Sequence, residues 1–276
     1  YDDRDMRVGV VDPTGRATRW EYDLAANVAR RVSPGGSVTV YEFDDADRLW
    51  KLTDPEGGVT VYQYDPSGRV ERIIAPDGGE TSYEYDPAGR VTARVDPAGA
   101  RTTYGYGPDG RLARVTDPLG LVTTTDYDPL GRIRAVTDPR GATASVRYAP
   151  SGKPAVLVDP LGNETRLSYD ALGRLESRTD PTGRTTYYQY DPAGALVALT
   201  EPGGGRWEMS YDAAGRMTAR VDPNGGEWRL GYDAAGRLQY SRDPAGGITW
   251  YSYDAAGRLT CLNDPGGRTT RYSNDP

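Results

Sequence analysis

Several residue types on which enzymes rely are absent or scarce in this chain. Its 276 residues include no histidine, one cysteine (Cys261) and one phenylalanine (Phe43). Without histidine, the chain lacks the commonest general base and the commonest metal ligand. A single cysteine excludes an internal disulfide and a cysteine-rich zinc site. No run of 18 apolar residues occurs, so the sequence predicts no membrane-spanning helix.

Excess positive charge is also missing. The formal net charge is −7, from 33 basic and 40 acidic residues, and the arginines are spread along the chain instead of forming a patch. This balance disfavours nucleic acid as a partner. Nearly all of the repeated aspartates stand at the starts of turns, and equivalent copies do not make one active site. We therefore predict no catalytic residue, no metal site and no cofactor, and the chain is not expected to be an enzyme.

The chain has repetition in abundance. An aromatic residue, followed in most copies by aspartate, recurs every 21 residues without a slip, and Asn274 occupies the next such slot. The thirteen positions are Tyr1, Tyr22, Phe43, Tyr64, Tyr85, Tyr106, Tyr127, Tyr148, Tyr169, Tyr190, Tyr211, Tyr232 and Tyr253. A fixed period of this kind indicates one supersecondary unit stacked on copies of itself.

Each unit carries two turns, and in a regular unit both have the form Asp-Pro-x-Gly. In one repeat they are residues 86–89 and 96–99. Aspartate accepts hydrogen bonds from the backbone ahead of it, proline presets φ, and glycine adopts the positive φ that follows the corner. The intervals between turns are of strand length and rich in Val, Thr and Tyr, which favours strands over helices.

The odd length of the repeat needs an explanation, because side chains alternate across a sheet. We predict that one loop has an odd length and the other an even length. The first is predicted to be a three-residue loop with Gly89 in the left-handed conformation, so that Asp86 faces Arg90 and Tyr85 faces Val91. Facing each other, Asp86 and Arg90 can form an ion pair; the alternative is that Asp86 only closes its turn and Arg90 is solvated.

The predicted fold is all-β: an antiparallel meander of about 26 strands from thirteen 21-residue hairpin repeats. Open sheets rarely exceed about ten strands without curling or splitting. Large apolar residues are scarce and tyrosine is frequent, which suits a partly wet face and not a sandwich core. We therefore predict a single-layer sheet, curled as a spiral or an open shell. A propeller would show a 42-residue super-period, which is absent.

Residues 106–120 and 169–183 closely match the string Tyr-Asp-x-x-Gly-Arg-Leu followed by Val-Thr-Asp-Pro-x-Gly. It resembles the Rhs/YD-repeat family: bacterial Rhs polymorphic toxins, cocoon components of insecticidal toxin complexes, wall-associated YD-repeat proteins and teneurins. The resemblance implies a sheet spiralling into a hollow shell, which in the toxins encloses a C-terminal effector domain. Residues 1–276 are predicted to be one continuous array, cut from a longer one at both ends, since the chain ends on the start of another turn at Asn274-Asp275-Pro276.

Two groups of residues stand out from the repeat. Trp207 and Trp228 replace the repeated threonine, and Trp250 lies beside that position, so the three are a candidate ligand face. The alternative for them is extra packing of the ladder. The acidic clusters at residues 2–5 and 44–47 lack the spacing of a known calcium loop, and degenerate turns explain them better.

The favoured function is a non-catalytic structural shell segment that encloses or presents a C-terminal toxin or effector domain, with further Rhs repeats as its other partners. The alternative is a cell-surface or cell-wall module that recognises glycans or a protein through its Tyr/Trp face. The resemblance implies a secreted or surface location.

Overall fold

The computed structural model describes residues 1–273, which form 26 β-strands and no helix. The predicted slot at Asn274 and the turn after it lie outside the described residues. No helix among residues 1–273 is long and apolar enough to cross a membrane. The chain divides into two units, residues 1–142 and residues 143 onward, each with thirteen strands.

The strands of the two units have the following bounds. The first unit contains β1 (Gly9–Val11), β2 (Ala17–Tyr22), β3 (Val28–Val32), β4 (Val38–Phe43), β5 (Leu49–Thr53), β6 (Val59–Tyr64), β7 (Val70–Ile74), β8 (Glu80–Tyr85), β9 (Val91–Val95), β10 (Arg101–Tyr106), β11 (Leu112–Thr116), β12 (Val122–Tyr127) and β13 (Ile133–Thr137). The second contains β14 (Thr143–Tyr148), β15 (Pro154–Val158), β16 (Glu164–Tyr169), β17 (Leu175–Thr179), β18 (Thr185–Tyr190), β19 (Leu196–Thr200), β20 (Arg206–Tyr211), β21 (Met217–Val221), β22 (Glu227–Tyr232), β23 (Leu238–Arg242), β24 (Ile248–Tyr253), β25 (Leu259–Asn263) and β26 (Thr269–Arg271).

Each unit is an antiparallel meander. Every strand pairs with the strand before it and the strand after it, from β1 to β13 and from β14 to β26. Within each unit the described strands make contacts only with their sequence neighbours, so each meander is one layer thick. The predicted all-β class and the 26-strand antiparallel meander are confirmed.

Both turns of a repeat have the same length. After Tyr85, the N–H of Asp86 donates to the backbone carbonyl of Arg90, and the N–H of Gly89 donates to the backbone carbonyl of Asp86, each at 2.9 Å. In the second turn, the N–H of Asp96 donates to the carbonyl of Ala100 at 3.0 Å, and the N–H of Gly99 donates to the carbonyl of Asp96 at 2.9 Å. Both loops therefore contain three residues, each with a left-handed glycine, and the predicted alternation of odd and even loops is wrong. The predicted facing of Asp86 with Arg90 and Tyr85 with Val91 is confirmed.

A β-bulge after the first turn, and not a difference in loop length, keeps equivalent residues of successive repeats on the same face. Glu84 pairs with Ala93 but Tyr85 pairs with Val91, so Thr92 is an extra residue on β9. With two three-residue loops and no bulge, equivalent residues of successive repeats would fall on opposite faces. The extra residue leaves an even number of alternating positions in each 21-residue repeat, so equivalent residues point to the same side. The tyrosines therefore stay on one face throughout each unit.

Very little of this chain is buried. Only Ala93 and Ala198 are buried hydrophobic residues, at 1% exposure, and no large side chain among the described residues is fully buried. The accessible surface is 17681 Å², whereas a compact monomer of this mass would expose about 12,000 Å². A single layer has no interior, so stability must come from the ladder and from contacts between adjacent repeats.

Candidate functional site: repeat junctions and an aromatic face

Each Tyr-Asp turn is held by its own aspartate. In the turn after Tyr64, Asp65 Oδ1 accepts hydrogen bonds from the backbone N–H groups of Ser67 and Arg69, both at 2.9 Å. Asp65 Oδ2 accepts from Arg69 Nε at 2.7 Å and from Arg69 Nη2 at 2.6 Å. One carboxylate therefore fixes both the turn and the direction of the arginine side chain.

The guanidinium of Arg69 reaches into the next repeat. Its central carbon lies 4.6 Å from the centre of the Tyr85 ring, and its Nη1 donates to the carbonyl of Asp86 at 3.1 Å. A planar guanidinium can stack on a ring and donate hydrogen bonds from its rim at the same time. Arg69 therefore joins the turn of Asp65 to the turn that follows Tyr85.

The hydroxyl of Tyr85 closes the junction from the other side. It donates to the backbone carbonyl of Val70 at 2.6 Å. Val70 lies at the bulge opposite Tyr64, and the pairing of β7 with β8 covers only Arg72 to Ile74. The hydroxyl therefore bonds a carbonyl beyond the end of that ladder, a contact worth about 1 kcal/mol. This explains why the slot holds tyrosine and not phenylalanine.

The same contacts recur along both units. A tyrosine hydroxyl donates to the carbonyl of the residue 15 positions earlier at Tyr22, Tyr64, Tyr85, Tyr106, Tyr127, Tyr190, Tyr211, Tyr232 and Tyr253. A cation lies over the ring of the tyrosine 16 positions later at Arg48, Arg69, Arg90, Arg111, Lys153, Arg174, Arg216 and Arg237. We call this arrangement the Asp–Arg–Tyr junction.

Among the described residues, three repeats have no arginine or lysine in the cation slot. Met6 stands there before Tyr22, whose hydroxyl still donates to the carbonyl of Arg7 at 2.8 Å. Ala195 occupies the arginine slot before Tyr211, whose hydroxyl still donates to the carbonyl of Leu196 at 2.9 Å. Asn27 occupies the arginine slot before Phe43, so cation and hydroxyl are replaced together. The Asn27 amide donates to Asp47 Oδ1 at 3.1 Å and so links two successive turns in another way.

The junction places its titratable groups in the ionisation states it needs. The Arg69 side chain and backbone N–H hold the pKa of the Asp65 carboxyl below its ordinary value. In the other turn of the repeat, at Asp12, the hydroxyl of Thr14 and the N–H of Arg16 lower the pKa of the carboxyl to about 2. Burial, with the charge of Asp65 nearby, raises the pKa of Tyr85. At neutral pH the carboxylate therefore accepts and the phenol donates.

The two faces of the strands differ in charge. The aromatic face is defined here by the strand positions equivalent to Thr81, Tyr83, Tyr85, Val91 and Arg94. At these positions in the described strands the only charged residues are arginines: Arg31, Arg94, Arg178 and Arg220. None of the four forms a salt bridge with a described carboxylate.

The opposite face carries both signs of charge in pairs. Arg101 bonds Glu84 at 2.6 Å, Lys51 bonds Glu42 at 2.7 Å, and Arg229 bonds Glu227 at 3.1 Å. We call it the ion-paired face. Exposed pairs of this kind add little stability, but they place carboxylates beside cations on this face, whereas no described strand has a carboxylate at an aromatic-face position.

The structure brings two of the three candidate tryptophans together. Trp207 and Trp228 lie on the aromatic face, and the guanidinium carbon of Arg220 is 5.1 Å from the first ring and 4.5 Å from the second. The indole N–H of Trp207 donates to Glu201 at 2.9 Å. Trp228 lies directly across from Arg220 in the pairing of β21 with β22.

Trp250 lies elsewhere. It is three residues before Tyr253 on β24, and this odd spacing places it on the ion-paired face. There it pairs with Tyr240, the two ring centres being 5.3 Å apart, and it is 46% exposed. The three tryptophans therefore do not share one face, and glycan binding by them stays a prediction.

The remaining candidate positions have structural surroundings. Asp44 Oδ1 accepts from the N–H groups of Ala46 and Arg48 at 2.9 and 3.0 Å, as in any Tyr-Asp turn. In residues 1–273, no group of three or more His, Cys, Asp or Glu side chains is placed to hold a metal ion. Cys261 is half-buried within β25, with Sγ 3.9 Å from Asn263 Oδ1.

Sequence reasoning did not single out Arg220 or the tyrosine–carbonyl bond. The signal for Arg220 was an arginine in an aliphatic slot, flanked in the neighbouring strands by tryptophans in threonine slots. The signal for the hydroxyl bond was the near absence of phenylalanine from the Tyr85 slot, where Phe43 stands alone. The partner carbonyl was not predictable, because it depends on the bulge.

Comparison with known families gives two matches. The model described as Teneurin YD-shell matches residues 98–263, which is more than half of the chain. The model described as RHS Repeat matches residues 1–38, 43–80 and 64–103. No curated protein matches the chain.

Solved structures show the same fold at low sequence identity. The Tc holotoxin pore of Photorhabdus luminescens matches with a TM-score of 0.62 and 17% identity, over 95% of this chain and 17% of that chain. The TcdB2-TccC3 structure matches with a TM-score of 0.57 and 18% identity, over 100% of this chain and 19% of that one. The chain thus spans less than a fifth of the length of these structures.

Proposed function

The chain belongs to the Teneurin YD-shell family, and we propose that it is a non-catalytic segment of a β-sheet shell that encloses an effector domain. One observation carries the proposal. The recurring Asp, Arg and Tyr side chains of the junctions, which could do chemistry, are engaged in joining one repeat to the next, as at Asp65, Arg69 and Tyr85. Identical junctions extend a wall; they do not assemble a single reaction centre.

The thinness of the sheet supports the same conclusion. Within residues 1–273 only Ala93 and Ala198 are buried, so the layer exposes both faces, and its surface exceeds that of a compact monomer by roughly half. Such a layer suits a partition between an enclosed space and the outside. One similar solved structure is named as a Tc holotoxin pore, which supports an effector domain and further Rhs repeats as the partners, and a secreted or exported location.

Enclosure can be tested by labelling the two faces separately. Thr102 lies on the aromatic face and the adjacent Thr103 on the ion-paired face, since neighbours on a strand point to opposite sides. In a Cys261→Ser background, produced from the native gene with any flanking sequence, Thr102→Cys and Thr103→Cys are treated with a 5-kDa maleimide. We expect the large reagent to label only one of the two positions.

A small maleimide is the matched control, and it should label both cysteines, because each threonine is only partly covered. Equal labelling of both positions by the large reagent would contradict enclosure and favour a wall open on both sides. Hydrolytic activity of the segment that depended on its own side chains would contradict the non-catalytic part of the proposal.

The second candidate is a surface-binding module, and the observation behind it is the exposure of aromatic rings on the ion-paired face, with Tyr187 at 53% and Trp250 at 46%. Arg220 already contacts the rings of Trp207 and Trp228, which leaves less of either ring for a sugar. Titration of cell-wall sugars by calorimetry tests this role. Micromolar binding that is lost in Trp207→Ala and Trp228→Ala would favour it over a shell.

A further inference from the structure

Two open apolar depressions meet at one arginine of the aromatic face. The larger has a volume of about 380 Å³, and its lining includes Leu199, Trp207, Met209 and Arg220. The smaller has a volume of about 210 Å³, and its lining includes Trp228 and Arg220. The larger volume lies within the range of sites that hold small organic groups. Arg220 forms the ridge between the two.

The charge of Arg220 is not balanced locally. Its side chain is exposed, and no described carboxylate forms a salt bridge with it. Glu201, the acidic residue that lines the larger depression, accepts the indole N–H of Trp207 at 2.9 Å instead. Two indoles hold the guanidinium in place, so little conformational freedom remains to be lost when an anion binds.

The surroundings reinforce this imbalance. Arg178 and Arg220 are the only charged residues at aromatic-face strand positions of the second unit within the described residues. A partner that reaches this face therefore meets positive charge set among apolar side chains. The complementary chemistry is a carboxylate flanked by aliphatic groups.

We infer that the depressions on either side of Arg220 bind an acidic segment of a partner polypeptide: a carboxylate pairs with Arg220, and aliphatic side chains enter the depressions beside Met209 and Met217. A nucleic acid fits less well, because phosphate binding needs a row of cations and the chain carries a net charge of −7. The inference deepens the proposed function, on which it rests, by identifying a contact point for an enclosed chain.

The probe is a fluorescein-labelled octapeptide of alternating pairs of leucine and glutamate, and binding to this chain is followed by fluorescence anisotropy. We expect measurable binding below 1 mM that weakens as sodium chloride rises. The same peptide with lysine for glutamate, and one with serine for leucine, should bind at least about tenfold more weakly, since each lacks one of the two contacts.

The decisive variant is Arg220→Gln, which removes the charge and keeps a polar side chain of similar length. It should weaken binding by about tenfold or more. Arg229→Gln is the matched control, because Arg229 lies on the ion-paired face of the next strand and pairs with Glu227. It should bind like the parent chain.

Equal binding of the glutamate and lysine peptides, or an unchanged affinity in Arg220→Gln, would overturn the inference, as would a complete absence of binding. Each of these outcomes leaves the proposed function untouched, because the peptide assay uses only this chain whereas enclosure is measured by the face-specific labelling. If the large maleimide labelled both faces equally while the peptide still bound selectively, the proposed shell function would be overturned and the peptide site would stand.

Discussion

The hydroxyl of Tyr85 donates a 2.6 Å hydrogen bond to the carbonyl of Val70, a residue of the preceding repeat. That carbonyl lies at the bulge, beyond the pairing of β7 with β8. One contact therefore connects two properties of the repeat. The bulge keeps the tyrosines on one face, and a tyrosine in turn satisfies a backbone group at the bulge.

The first prediction concerns this hydroxyl. Tyr85→Phe keeps the ring under Arg69 but leaves the Val70 carbonyl without its donor, so we expect a loss of about 1 kcal/mol in the free energy of unfolding. Urea denaturation and amide hydrogen exchange in β7 and β8 measure it. Tyr187→Phe is the control, because Tyr187 is 53% exposed on the ion-paired face. Equal losses in the two variants would show that the hydroxyl bond is not the cause.

A second prediction concerns the irregular turn at Ala26. Its φ is 70°, where every complete turn has glycine. L-residues are strained in this conformation, so Ala26→Gly should raise stability by roughly 0.5–1 kcal/mol. The adjacent Ala25 has no positive φ, and Ala25→Gly should give no gain. Thermal midpoints of the two variants decide the matter, and a gain in both would point to a general effect of glycine.

The third prediction concerns the junction before Tyr211, which lacks its arginine. In Ala195→Arg the new side chain can pair with Asp191 and stack on Tyr211, as Arg216 does with Asp212 and Tyr232. The ring contact should add roughly 0.5–1 kcal/mol.

A double-mutant cycle with Tyr211→Leu isolates that contact. If the arginine stabilises the chain equally with leucine at position 211, the stacking explanation is wrong and only the turn has been improved.

The fourth prediction is a loss of stability at both ends of the pH scale. Folding lowers the pKa of Asp12 from 3.8 to about 2, so its contribution is present above pH 4 and is lost as the pH falls toward 2. Folding raises the pKa of Tyr85 above 10.0, so that contribution is complete below pH 10 and is lost at higher pH.

Thermal denaturation between pH 2 and pH 11 tests both limbs. The midpoint should hold steady near neutrality and fall at each extreme. Asp65→Asn should start from a lower midpoint and lose less on acidification than the parent chain, because the asparagine cannot be protonated. A parent midpoint that stays constant from pH 6 to pH 2 would contradict the assignment.

The fifth prediction compares the loss of the bulge residue with the loss of a whole repeat. Deleting Thr92 alone removes the extra residue, so the aromatic side chains before and after it should fall on opposite faces. We expect early proteolysis within β9 and β10 and a broadened unfolding transition. Deleting residues 86–106, one whole repeat, should leave a shorter array with normal junctions. Similar behaviour of the two deletions would contradict the role of the bulge.

The sequence alone determined the repeat, the strands and the turns. Pro97 and Gly99 recur in every copy, and their backbone preferences are local, so the corners and the strand lengths between them follow without tertiary information. The pairing of Asp86 with Arg90 was equally predictable, because a three-residue loop brings its two ends together. The family and the single-layer meander followed from the same regularity.

Only the tertiary structure decided how a repeat of odd length keeps its tyrosines on one face, and which side chains contact one another on each face. Both loops are equal and the bulge at Thr92 supplies the correction, a choice that depends on the pairing of whole strands and not on any local signal. The contact of Arg220 with Trp207 and Trp228, and the placement of Trp250 on the other face, depend on register in the same way. Residues on different strands meet only where the ladder sets them side by side, and a shift of one residue exchanges the faces.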